Sequence, residues 1–87
     1  RWPGHVPAGR TCDRIAATID LLPTFANLAG AALPADRTLD GQDQTALLAG
    51  QAGATGRETF LFYCHTNLQA VRCGKWKLVL PRPARPP

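Results

Sequence analysis

Serine is absent from the 87-residue chain, which excludes a Ser-His-Asp hydrolase built from these residues, since the nucleophile of that triad is the serine hydroxyl. No apolar run approaches the roughly 18 residues that a membrane span needs, and no h-region of a signal peptide is present. Asparagine is never followed two positions later by Ser or Thr, so there is no glycosylation sequon. Cysteine is scarce and odd in number. Cys12, Cys64 and Cys73 are widely spaced, and neither a disulfide framework nor a C-x-x-C metal or redox site is indicated. In a hairpin of Thr59–Cys64 with Leu68–Cys73, Cys73 would lie opposite a residue near Phe60 while Cys64 sits by the turn. The two sulfurs are then too far apart for a bridge, which needs Cα atoms within about 7 Å.

Glycine and proline are plentiful, eight of each, which implies many turns and few long elements. A chain of this size buries only about 60% of its unfolded surface, so folding alone would be marginal. The formal charge is +4, yet five of the ten basic residues, Arg72, Lys75, Lys77, Arg82 and Arg85, fall in the last sixteen positions. The first 71 residues carry five basic and six acidic groups. Nothing matches a zinc finger, a helix-turn-helix or an RNP-type aromatic stretch, so no nucleic-acid partner is expected.

Along the chain, RWPGHVPAGRTCD reads as a loop with turns, and Arg14–Ile19 as a short apolar stretch that ends a strand. Residues 20–30 have a helical pattern, with Leu21, Phe25 and Leu28 on one stripe. Asp20 is placed to cap its N-terminus, Pro23 is tolerated in the first turn, and Gly30 closes it in the left-handed C′ position. Asp40 and Gly41 fit a tight turn before a short helix over 44–49. Residues 51–57 read as a glycine-bearing linker. Strands are expected at Thr59–Cys64, Leu68–Cys73 and Lys75–Leu80, followed by a Pro/Arg-rich tail over 81–87. Lys75 and Lys77 share one face of the last strand, with Trp76 on the other, which is the pattern of a half-buried edge strand with Trp76 in the core and charges guarding the open side.

Three blocks together resemble a known family: RWPGHVPAGR at Arg1–Arg10, TIDLLPTFANLAG at Thr18–Gly30 and LPADRTLDG at Leu33–Gly41. They look like the C-terminal half of type I, arylsulfatase-like sulfatases of the alkaline phosphatase superfamily, and LQAVRCGKWKL at Leu68–Leu78 is similar to a strand pair of that family's small C-terminal sheet. The resemblance implies an α+β fragment: a strand end and helix from the edge of an alkaline-phosphatase-like α/β domain over residues 1–50, the linker over 51–57, then a small antiparallel β-meander over 58–80. It also implies a piece of a larger protein, which Arg1, standing in mid-motif, is expected to continue upstream.

The resemblance implies a sulfuric ester hydrolase using formylglycine and calcium. None of Cys12, Cys64 or Cys73 begins the C-x-P-x-R motif that yields formylglycine, and neither an Asp-Asp nor an Asp-Asn pair is present. Calcium takes about six to eight oxygen ligands, which six scattered acids do not suggest. Both cofactors are therefore expected upstream of this chain, which is expected to carry no cofactor and no activity alone. Asp20 could be a metal ligand in the recognisable block, but capping explains it; Gly30, Gly41 and Trp76 are read as structural. His65, in the predicted hairpin turn, is the one candidate substrate contact, because in the family that sheet faces the substrate entrance. The expected partners are the remainder of the sulfatase chain and, for the parent, a sulfated small molecule or glycan, with no membrane. The alternatives are a related phosphonate or phosphate ester hydrolase, and a non-catalytic module binding anions through the basic meander. Such enzymes are periplasmic, secreted or lysosomal; substrate, oligomeric state and compartment lie beyond these residues.

Overall fold

Two helices are written into the chain by their stops. The computed structural model, which describes residues 1–81, places a short 3-10 turn at Thr18–Asp20 and then α1 at Leu21–Leu28. Gly30, at φ 66°, lets the chain leave α1: the Gly30 N–H donates to the Asn27 carbonyl and the Ala31 N–H to the Ala26 carbonyl. This pair of bonds satisfies carbonyls that the helix end would otherwise strand. The second helix, α2, is one turn at Thr45–Leu48 and closes by the same device, with Gly50 N–H on Leu47 and Gln51 N–H on Ala46. Both helices are shorter than the expected 20–30 and 44–49, because Asp20 belongs to the 3-10 turn and Ala29 and Ala49 stand as C-caps.

Arg14–Ile19 does not form the expected strand end. Ile15 makes one isolated antiparallel bridge to Arg57, through the Arg57 N–H on the Ile15 carbonyl at 3.1 Å, before the chain turns into the 3-10 segment. These elements make up a compact unit over Arg1–Arg57; a second unit begins at Glu58.

The second unit is a three-stranded antiparallel sheet in the order β1-β2-β3, with β1 at Thr59–Cys64, β2 at Asn67–Cys73 and β3 at Trp76–Val79. The first hairpin turns at His65, whose φ of 54° is the one positive value outside glycine among the described residues. Histidine tolerates that left-handed region better than most side chains. Thr59 faces Cys73 and Cys64 faces Asn67, so the register keeps Cys64 and Cys73 at opposite ends of the ladder, and all three cysteines are free. The register slips between Phe62 and Tyr63. Gln69 is the bulged residue, and its carbonyl accepts from the Leu80 N–H at 2.8 Å.

Ala70, at the centre of β2, is the one fully buried residue of the hydrophobic class among the described residues. Trp76 corrects the expectation of a core tryptophan: it is 74% exposed, with the Lys75 ammonium 5.3 Å from its ring centroid. Alternation along β3 does place it on the face away from Lys77, and that face lies open, with Leu78 exposed as well. Among the described residues no helix is long and apolar enough to cross a membrane. The Pro/Arg-rich stretch read over 81–87 lies, beyond Pro81, outside the described residues.

Candidate functional site

The first unit is organised around a carboxylate. Asp20 ends the 3-10 turn and stands at the N-cap position of α1, yet its side chain makes no bond to that helix's first turn. The expected cap is thus right in place and wrong in partner. The Asp20 side chain, only 2% exposed, turns back instead to the Ala17 N–H at 2.8 Å and across to the Gln42 N–H at 2.9 Å. Arg57 supplies the remaining donors: its Nε reaches Oδ2 at 3.3 Å, and its Nη2 donates to Oδ1 and, at 2.8 Å, to the Asp40 carbonyl.

A carboxylate has about four lone-pair sites, and two amides with a bidentate guanidinium use all of them. The hydrogen bond from Arg57, with help from the Gln42 and Ala17 amides, overcomes the cost of burial and holds the Asp20 carboxyl down to about 2. The same partner raises Arg57 above the usual guanidinium range. Arg57 lies at the end of the stretch read as a linker, and no motif marks it. It is the residue that sequence reasoning missed, together with Thr24 and Gln44.

Thr24 and Gln44 extend the network. The Thr24 hydroxyl donates to the Asp20 carbonyl at 2.6 Å and accepts from the Gln44 N–H at 3.0 Å. Asp20, Thr24 and Gln44 are the buried polar residues of the described chain, and no buried side-chain polar atom among the described residues is left without a partner. At the surface end, Asn27 donates to Asp43 at 2.8 Å, and Asp43 accepts the Thr45 N–H at 2.9 Å. The Thr45 contacts hold the Asp43 carboxyl below its ordinary range.

Gly41 is structural for a different reason from the one expected. No turn or bend forms at Asp40–Gly41. Because Asp20 draws the Gln42 amide inward, the backbone at Gly41 comes so close that a Cβ there would stand 2.1 Å from the Ile19 carbonyl oxygen. Only glycine fits that approach.

The other candidate residues are not brought together. His65 is exposed at the tip of the β1–β2 hairpin. His5 gains a partner the sequence did not reveal, stacking on Trp2 at 4.0 Å and 9° beside an apolar recess of about 310 Å³ lined by Val6, Leu28 and Leu48. Among the described residues no three His, Cys, Asp or Glu side chains cluster as a metal site. The donors here do not fit calcium, since Asp20, the one buried carboxylate among the described residues, is saturated by Arg57 and two amides.

What the arrangement can do is mechanical. One carboxylate fixes four backbone stretches, at residues 17, 20, 40–42 and 57, into a single geometry. No protein-family model matches the chain. Similarity to curated proteins is nevertheless extensive. The chain is 43% identical to steryl-sulfatase of Homo sapiens over 72 residues, 83% of this chain and 12% of that protein. It is 47% identical to arylsulfatase A of Bos taurus over 81 residues, 87% of this chain and 15% of that protein. With N-acetylgalactosamine-6-sulfatase of Canis lupus familiaris it shares 43% over 77 residues, 87% of this chain and 14% of that protein. The chain thus spans about 12–15% of the length of the curated relatives it matches.

Proposed function

Starting from a segment whose homologues are sulfatases, we propose that the protein containing it hydrolyses sulfate esters and that the segment serves that reaction as scaffold. The observation that carries this reading is identity of 43–47% over more than four fifths of the chain to three proteins named for sulfatase activity. The resemblance assigns formylglycine and calcium to other parts of such a protein, and no step is derived through them from the residues present here.

The geometry supports a scaffolding role. Leu21, Leu22, Phe25 and Leu28 form an exposed apolar surface on α1, with Phe25 at 59%. A contiguous apolar surface on so short a helix marks a packing interface. Its proposed occupant is the remainder of the sulfatase chain, with α1 lying at the edge of an alkaline-phosphatase-like α/β domain. The Asp20–Arg57 clasp would hold that helix at a fixed angle to the residue 40–45 loop. His65, at the hairpin tip, is the proposed substrate contact of the second unit, through its imidazole and a sulfate oxygen.

The experiment is an assay of the full-length protein on matched aryl sulfate and aryl phosphate esters with calcium present. Sulfate release well above phosphate release is expected. Preferential phosphate release would transfer the protein to the phosphoester hydrolases that share the Thr18–Gly30 block, and no release of either would overturn the enzymatic reading.

A further inference from the structure

The sheet of the second unit carries a charge arrangement that its folding does not use. Arg72 on β2 and Lys77 on β3 stand directly opposite one another, so their side chains rise from the same face. Both are exposed. Like charges placed opposite each other on a sheet face are destabilising, and neither residue has an ion-pair partner among the described residues. Glu58, just before β1, is the sole acid among residues 58–81. Among the described residues, no carboxylate offsets the pair.

An aromatic floor lies beside the pair. Phe60 faces Arg72 across β1 and β2, and Phe62 lies two residues further along the same face. The two rings meet edge-on with centroids 4.9 Å apart, and the Lys77 ammonium sits 4.3 Å from the Phe62 centroid. The Arg72 Nε donates to the Gly74 carbonyl at 3.2 Å, which orients its guanidinium plane. An oriented guanidinium fork offers paired N–H groups to a tetrahedral oxyanion, while an ammonium supplies a compact charge beside it.

We propose that this face of the β2–β3 hairpin binds sulfate groups of a sulfated polysaccharide, with Arg72 and Lys77 closing on one sulfate from neighbouring strands and the phenylalanine rings taking the sugar. The assignment of sulfate rather than phosphate rests on the sulfate-ester reading above; the cation pair and the aromatic floor stand without it. A single exposed cation pair is screened by salt, so useful affinity requires a partner that repeats its charge, which a polysaccharide chain does. Aromatic faces also pack against the apolar surface of a sugar ring.

The test compares retention of the full-length protein on immobilised heparin, on desulfated heparin and on double-stranded DNA. The wild type is expected to elute from heparin at higher salt than from the other two. Arg72→Glu is expected to abolish that difference, with a thermal midpoint equal to or above wild type, because the reversal turns a like-charge pair into an attractive one with Lys77. Lys77→Glu provides the mirror variant should Arg72→Glu lower the midpoint. Unchanged heparin retention in the variants, or stronger wild-type retention on DNA, would overturn the proposal. Hydrolysis of a small aryl sulfate by the wild type reads the parent reaction separately. Retention without hydrolysis overturns the enzymatic reading alone, and hydrolysis without retention overturns the surface alone.

Discussion

The two units of this chain are held together by different chemistry. In Arg1–Arg57 the long-range order comes from the buried side chains of Asp20 and Thr24, which hold the Gln42 and Gln44 amides, while the large apolar residues of α1 face outward. In the sheet that begins at Glu58, order comes from a backbone ladder between sequence neighbours, with Ala70 alone fully buried. The first arrangement gathers positions 17, 20, 42 and 57 onto one carboxylate and is exposed to failure at a single residue. The second spreads its stabilisation over many equivalent bonds, each contributing about 1 kcal/mol or less, so no one side chain is decisive.

Removal of Arg57 is the strongest way to break that contrast. Arg57→Ala leaves the Asp20 carboxylate buried with an uncompensated charge, a change that costs about 3–5 kcal/mol in comparable buried pairs. Arg72→Ala in the sheet removes an exposed, unpaired cation and should stay within about 0.5 kcal/mol. Native-state amide exchange in the full-length protein checks both: Gln42, which donates to Asp20, should lose most of its protection in Arg57→Ala and none in Arg72→Ala. Equal effects at the two sites would erase the distinction between the units.

Acid should separate the units next. The folded-state Asp20 carboxyl is depressed from 3.8 to about 2, so its contribution is complete above the unfolded value and is lost as pH falls through 4 toward 2. At about 1.4 kcal/mol per pKa unit, the depression corresponds to roughly 2–3 kcal/mol. Protection at Gln42 should therefore be level from pH 7 to 5 and fall below pH 4. In β2, whose unit has only Glu58 as an acid among residues 58–81, no comparable decline is expected. A decline at Gln42 centred near pH 6 would contradict the Asp20 assignment.

How much of this was legible differs between the units for the same reason that their chemistry differs. The strands could be read within a residue or two, because alternation and the glycine or histidine at each turn are local signals. The α1 stop at Gly30 was equally local. Asp20 stands out by its position, but its partners lie 22 and 37 residues away, and no spacing rule links them. Arg57, at the end of a glycine-bearing stretch, reads as the close of a linker. Trp76 is exposed against expectation because alternation reports which face a side chain takes and not whether anything covers that face. The kinship with sulfatases was visible in the Thr18–Gly30 block, whereas the clasp within that block was not.

Gly41 tests whether the polar network also sets the packing of the backbone. A Cβ at this position would stand 2.1 Å from the Ile19 carbonyl oxygen and 3.1 Å from the Pro23 ring. Both neighbours are fixed, one by the backbone and the other by a buried ring at the start of α1, so the residue 40–42 segment must move and stretch the Gln42–Asp20 bond. Gly41→Ala should cost about 1–3 kcal/mol, as overpacking does. The same substitution at Gly74, where a Cβ meets nothing within 4 Å, encounters only the strain of its positive φ, about 1 kcal/mol or somewhat more. Thermal midpoints of the two variants in the full-length protein would rank them.

Trp76 gives the smallest expected change and the sharpest reading of the second unit. Burial of a tryptophan is worth about 3–5 kcal/mol when truncated to alanine in a packed core. Here the side chain is 74% exposed, and its named contact is the Lys75 ammonium at 5.3 Å, an exposed cation–π pair of about 0.5–1 kcal/mol. Trp76→Ala should therefore shift the stability of the sheet by about 1 kcal/mol at most, and Lys75→Gln should reproduce most of that shift, because the two substitutions remove the same contact. The pair of variants is diagnostic together. If Trp76→Ala costs several kcal/mol in the full-length protein while Lys75→Gln costs little, the indole is packed against residues beyond this segment. The sheet would then owe its stability, as the apolar face of α1 does in the scaffold reading, to surface that the rest of the protein covers.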